Sequence, residues 1–191
     1  QVQGASINSS NDSTYGNIIS YQNCGNYEFA EVAAVSGSNT IIFSCPLQFS
    51  YTATGKVAVV RVPRFLTLTV NGGASITCPS WNGSSGGIIV FEVLGTTIIN
   101  GGGSIDASSK GFRGGALLNN NSAYGVLHST LPTLDYGAEK GESIAGNVTN
   151  YDALGGRYCK GSPANGGGGG SAHNAGGGGG SPVRGGGSAR R

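Results

Sequence analysis

Sixteen of the final thirty-seven residues are glycine, and two runs of five stand at 166–170 and 176–180. Such a stretch has almost no side chains to bury, and glycine loses more backbone entropy on ordering than any other residue. It cannot build an ordinary hydrophobic core. Two states are open to it. One is a flexible linker. The other is a bundle of polyglycine strands in polyproline-II geometry, whose bare backbones approach closely and bond neighbouring N–H and C=O groups. Each run would then span about 15 Å, and residues 171–175 would let the two lie antiparallel. The glycine clusters are separated by particular aromatic, charged and cysteine residues, as in GFRGG (111–115), GAEKGESIAG (137–146) and GGRYCKG (155–161). A repetitive Gly/Ser linker lacks such spacing, so a packed polyglycine-II helix bundle is the expectation.

The chain ahead of this region reads as all-β. LTLTV (66–70) alternates, which predicts Leu66, Leu68 and Val70 facing inward and both threonines outward. VAVVRV (57–62) and IIVFEVL (88–94) are longer apolar runs, and 96–99 and 104–106 are short successors. β-branched residues dominate, and no amphipathic helix of useful length occurs. Turn signals at 71–73, 86–87 and 100–103 separate the strands. A β-sandwich would join them as hairpins, whereas a β-solenoid would stack them as parallel rungs with Asn and Gly at the corners. The solenoid is favoured because the last strands lead straight into the glycine-rich region. The expected organisation is an irregular N-terminal arm (1–26), a β-domain (27–110) and a glycine-rich region packed on it (111–191).

Charged residues form only 10% of the chain, far below the usual quarter, and hydroxyl and amide side chains replace them. This composition suits an extracellular β-protein. Residues 155–191 carry five basic and no acidic side chains, but without the clustering and aromatic interleaving of a nucleic-acid binder. No membrane-length apolar run is present. Four cysteines without a CxxC pair and only two histidines argue against zinc. An even count in this setting predicts two disulfides, with Cys24–Cys45 and Cys78–Cys159 favoured among three possible connectivities.

Catalytic patterns are weak. Glu139 and Glu142 flank Lys140 in a glycine-bounded loop, which points to surface charge or an ion pair with Arg113 rather than paired glycosidase carboxylates. His128 and His173 lack the partners of a triad. Asp106 and Asp152 would need backbone carbonyls to ligate calcium, and no DxDxDG loop occurs. No catalytic residue, metal or cofactor is therefore assigned. Trp81 is expected as a core lid, and Phe112 and Arg113 as structural residues, the arginine able to donate up to five hydrogen bonds to freed carbonyls.

The ordered succession VVRVPRF, LTLTV, CPSWNGSSGGIIVFEV, GSIDASSKGFRGG, GAEKGESIAG and SPANGGGGGSAHNAGGGGGS resembles a glycine-rich region of large secreted bacterial surface proteins. Many are adhesin-like substrates of the type IX secretion system in Bacteroidetes, and others occur in myxobacteria. The resemblance spans roughly 56–181. It implies a non-enzymatic, cell-surface structural or adhesive module, possible fibre formation, and self-association, surface glycans or the secretion machinery as partners. Strand 88–94 or the segment 1–23 would supply the assembly contact. The alternatives are a cargo fragment of the export machinery and a β-helical polysaccharide-active enzyme.

Overall fold

A computed structural model of the protein describes residues 1–10, 12–116, 139–146 and 161–169. Every regular element among these residues is a short strand, which agrees with the all-β expectation. Two antiparallel hairpins come first. β1 (Ser6–Ile7) pairs with β2 (Ile18–Ser20). β3 (Val32–Ser36) pairs with β4 (Thr40–Phe43) through a turn in which Gly37 takes a φ of 63°.

The remaining six strands pair in parallel, each with a partner one lap further along the chain. β5 (Arg64–Phe65) lies beside β8 (Glu92–Val93), β6 (Leu68–Val70) beside β9 (Thr97–Ile99), and β7 (Ser75–Ile76) beside β10 (Ser104–Ile105). The lap length is nearly constant. Arg64 bonds Glu92 at a separation of 28 residues, and Asn71 meets Asn100 and Ser75 meets Ser104 at 29. The two laps share a sequence, VNGGASI at 70–76 and INGGGSI at 99–105, so like residues stack on like. Their corners also match. Ala74 N–H closes a turn on Asn71 C=O at 3.0 Å, and Gly103 N–H closes one on Asn100 C=O at 2.8 Å. Gly73 and Gly102 adopt φ values of 78° and 84°, a region that side chains disfavour, and Gly73 N–H donates to Gly102 C=O across the laps.

The core among the described residues is small and sits where the N-terminus meets the later segments. Ile7, Tyr15, Ala145 and Ala164 form one buried cluster, with Ile18 and Ile144 packed against it. Residues 1–26, expected as an irregular arm, thus carry the first hairpin and half of that cluster. Their sparse apolar residues hid this role, because the burial comes from partners more than 120 positions away. The long apolar runs behave differently from expectation. Residues 57–62 form no strand, and only Glu92–Val93 of 88–94 does. In LTLTV the alternation holds at Leu68 and Val70, but Leu66 is 77% exposed. Its carbonyl accepts from Gly95 N–H at 2.9 Å at a bend between β5 and β6, which turns the side chain away from the interior.

Of the glycine runs, residues 166–169 are described, and all four are buried. Gly141 N–H donates to Gly167 C=O at 2.9 Å, and a Cβ on Gly166 would lie 2.6 Å from Gly141 C=O. Close backbone approach is what glycine permits there. The second run and the bundle expected around it lie outside the described residues.

Val70 and Leu66 offer a direct contrast in burial. Val70→Ala should lower the unfolding free energy by about 2 kcal/mol through lost burial and a residual cavity. Leu66→Ala should change it by less than about 0.5 kcal/mol. Urea denaturation of the two variants checks the difference.

Candidate functional site

The most ordered chemistry in the molecule is a buried polar cluster where four stretches converge: the N-terminal strand, the end of the second lap, residues 139–146 and residues 161–167. Glu142 stands at its centre with 3% of its surface exposed. Burying a charge is costly unless it is paired and hydrogen-bonded, and this carboxylate is both. Arg113 Nε donates to Oε2 at 3.0 Å, and its backbone N–H donates to the same oxygen at 3.3 Å. Gln3 Nε2 donates to Oε1 at 3.0 Å and to Ser143 C=O at 2.8 Å. Glu142 N–H in turn donates to Arg113 C=O at 2.9 Å.

Burial pushes the Glu142 carboxyl up, but the Arg113 guanidinium, the Trp81 indole and the Gln3 amide together hold it below its ordinary value. The Trp81 N–H adds to that field while meeting no acceptor at hydrogen-bond geometry among the described residues. The pairing works in both directions, since the hydrogen bond to Glu142 raises the Arg113 guanidinium.

Lys140 is 2% exposed and reaches the opposite side. Its Nζ donates to Gly161 C=O at 2.8 Å and lies 5.1 Å from the centre of the Tyr15 ring, a cation–π arrangement. Ser143 Oγ accepts from Ala145 N–H, and Asn165 Oδ1 accepts from Ile144 N–H, both at 3.0 Å. Gly4 and Ala5 N–H both donate to Ile144 C=O. The stretch 139–146 is therefore clamped on one side by the N-terminal strand and on the other by 161–167.

The residues singled out in the sequence divide between this cluster and other places. Trp81 is buried and packs edge-to-face on Phe112 at 5.6 Å between ring centres. Its backbone N–H donates to Lys110 C=O at 2.8 Å, 29 positions on. Arg113 bonds a carboxylate rather than a fan of carbonyls, and the ion pair expected for the Glu139/Glu142 pair is made by Glu142. That glutamate is interior rather than on the surface. Gln3 is the member that sequence reading missed, because a lone amide in a polar leader carries no local signal.

The cysteines do not gather here. Cys24 and Cys78 are buried free thiols and Cys45 is an exposed one, so the Cys24–Cys45 bond expected from the sequence is not formed. Cys24 Sγ instead lies 3.7 Å from Ile144 C=O. Cys159, the expected partner of Cys78, lies outside the described residues, as do His128, His173 and Asp152. Asp106 accepts from Ser108 N–H at 2.8 Å, closing a local turn, and the Ser108 hydroxyl and N–H together lower its pKa. Among the described residues no group of three or more His, Cys, Asp or Glu side chains could hold a metal ion.

Comparison of the chain with family models, curated proteins and solved structures finds no significant match.

Glu142→Gln should cost about 2 kcal/mol, because it leaves the Arg113 charge without its counter-charge. Acid should reproduce the effect in the parent protein. The folded pKa lies below the unfolded one, so this stabilisation is complete above the ordinary carboxylate value of about 4.3 and is lost as pH falls through the lower folded value. Denaturation curves recorded across that range should show the parent losing its advantage over Glu142→Gln.

Thiol reactivity gives a second check. Burial raises the Cys24 pKa and limits access. Iodoacetamide under native conditions should modify Cys45 well before Cys24 or Cys78, as read by peptide mass mapping.

Proposed function

We propose that the protein is a non-enzymatic, extracellular structural or adhesive module of a bacterial cell surface, built as a short β-solenoid continued by its glycine-rich region. The observation that carries this reading is the recurrence of side-chain contacts at 28–29 residues. It begins at Arg64–Glu92, runs through the Asn71–Asn100 and Ser75–Ser104 ladders, and recurs where Arg113 meets Glu142. Gly141 N–H also bonds Gly167 C=O, in the first glycine run. A stack of this kind makes a stiff rod from short strands, since each lap need only pair with the next. Low charge, abundant hydroxyl and amide side chains, and the similarity of the motif succession to secreted surface proteins support the location.

The bonding of the strongest acid–base pair favours a structural role. Both Glu142 oxygens are engaged, and its charge is held by fixed donors, which suits a clamp better than a proton-transfer group. Self-association is best served by the β3–β4 hairpin. Val32, Val35, Ile41 and Ile42 are all exposed on it, and each strand's outer edge is unpaired among the described residues. An exposed apolar edge of this sort templates pairing with a second copy. It is preferred here to the contacts expected at 88–94 and 1–23, since the first is mostly irregular and the second carries the first hairpin.

Negative-stain microscopy should find filaments or end-to-end oligomers that Val35→Lys and Ile41→Lys disperse. Parent protein that stays monomeric at every concentration would remove the fibre-forming part of the reading.

A further inference from the structure

A cleft of about 1040 Å³ opens beside the buried cluster. One wall is β2 and the turn after it, and the other is the segment 161–165 with Ile144. β2 is bonded to β1 along one edge only among the described residues, and the cleft runs past Ile18, Ile19 and Tyr21.

Both walls are held by backbone hydrogen bonds and tight turns. Tyr21 C=O accepts from Cys24 N–H at 2.8 Å, while Gln22 and Asn23 take left-handed φ values of 49° and 68°. Across the cleft, Ala164 N–H donates to Gly16 C=O at 2.8 Å, and Gly166 N–H closes a turn on Pro163 C=O. The two walls meet at Gly16, whose φ is 82° and where any Cβ would overlap the Ser162 carbonyl. Glycine at this point sets the width of the floor.

The lining chemistry is specific. Among the described residues that line the cleft there is no Asp, Glu, Lys, Arg or His side chain. Tyr21 is 59% exposed, leaving its ring available to a ligand. The side chains of Asn17, Tyr21 and Ser162 have no hydrogen-bond partner among the described residues, and Asn165 spends its carbonyl on Ile144 N–H, leaving its amide N–H groups to donate. An aromatic face flanked by uncommitted amide and hydroxyl groups, without charge, matches the alternating C–H faces and hydroxyl edges of a neutral sugar.

We propose that this cleft binds a neutral oligosaccharide, with Tyr21 as the stacking platform and Asn17, Ser162 and Asn165 as hydroxyl-directed hydrogen-bonding groups. The proposal rests on the adhesive reading above and names its ligand class and site. It requires no ionisable contact, so binding should be nearly independent of salt.

The test titrates the full chain with cellohexaose, mannohexaose and chitohexaose, and with oligogalacturonate as the charged control, by calorimetry. At least one neutral hexasaccharide should bind, and oligogalacturonate should not. Tyr21→Ala and Asn17→Ala should each weaken binding about tenfold, in line with the loss of one stacking or hydrogen-bonded group. Tyr27→Ala, at an exposed tyrosine outside the cleft, should leave it unchanged. Circular dichroism of the variants keeps a folding defect separate from a lost contact. Gly16→Ala, which forces the walls apart, should also abolish binding.

Neutral-sugar binding that survives Tyr21→Ala and Asn17→Ala would overturn the cleft as the site and leave the adhesive reading standing. Binding of oligogalacturonate alone, or of no sugar, would overturn the ligand class, while the filament experiment tests the structural role on its own.

Discussion

The buried carboxylate of Glu142 is the interaction on which the rest of the structure leans. A charge in that position must be satisfied from fixed donors or it would neutralise or refuse burial. The donors come from distant parts of the chain, Gln3 near one end and Arg113 at the close of the second lap. Meeting that demand pins the N-terminal strand, the stacked laps and the stretch 139–146 to one another. Lys140 does the same on the far side by holding Gly161 and the Tyr15 ring. Polar bonds thereby take over a task that larger domains assign to an apolar core.

The small core makes that substitution necessary. Among the described residues, four form the main buried cluster, while many large apolar side chains stay exposed. Cohesion comes instead from backbone bonds made at very short range, and glycine is what lets backbones come that close. At Gly73 and Gly102 it supplies the left-handed corner that both laps require. At Gly16 and Gly166 it removes the side chain that would separate two segments. Glycines among the described residues thus take part in the way the β-part is held.

Much of this organisation was legible in the residues. β-branched composition and the absence of amphipathic periodicity point to strands, the Asn-Gly corners are where turns form, and the ion pair between Arg113 and the 139–142 pair was readable from charge alone. The parallel lap was legible too, but only as the near-identity of VNGGASI and INGGGSI at a fixed offset. Strand propensity alone obscures it, because the paired stretches are just two or three residues long. Leu66 shows the limit of alternation as a guide. Period two predicts a face only while the strand continues, and the bend between β5 and β6 resets it.

By itself, the sequence determined the class of local structure: strands, tight corners, uncharged hydroxyl-rich surfaces and segments able to pack without side chains. These follow from φ/ψ preferences and periodicity, which act over a few residues. Only the tertiary structure decided that a polar leader would become half of the core, that Gln3 would meet Glu142, and that β2 would border a cleft. Those outcomes depend on which distant groups can satisfy a buried charge and which backbones can touch. No stretch of a few residues carries that information, because the partners are 120 to 140 positions apart.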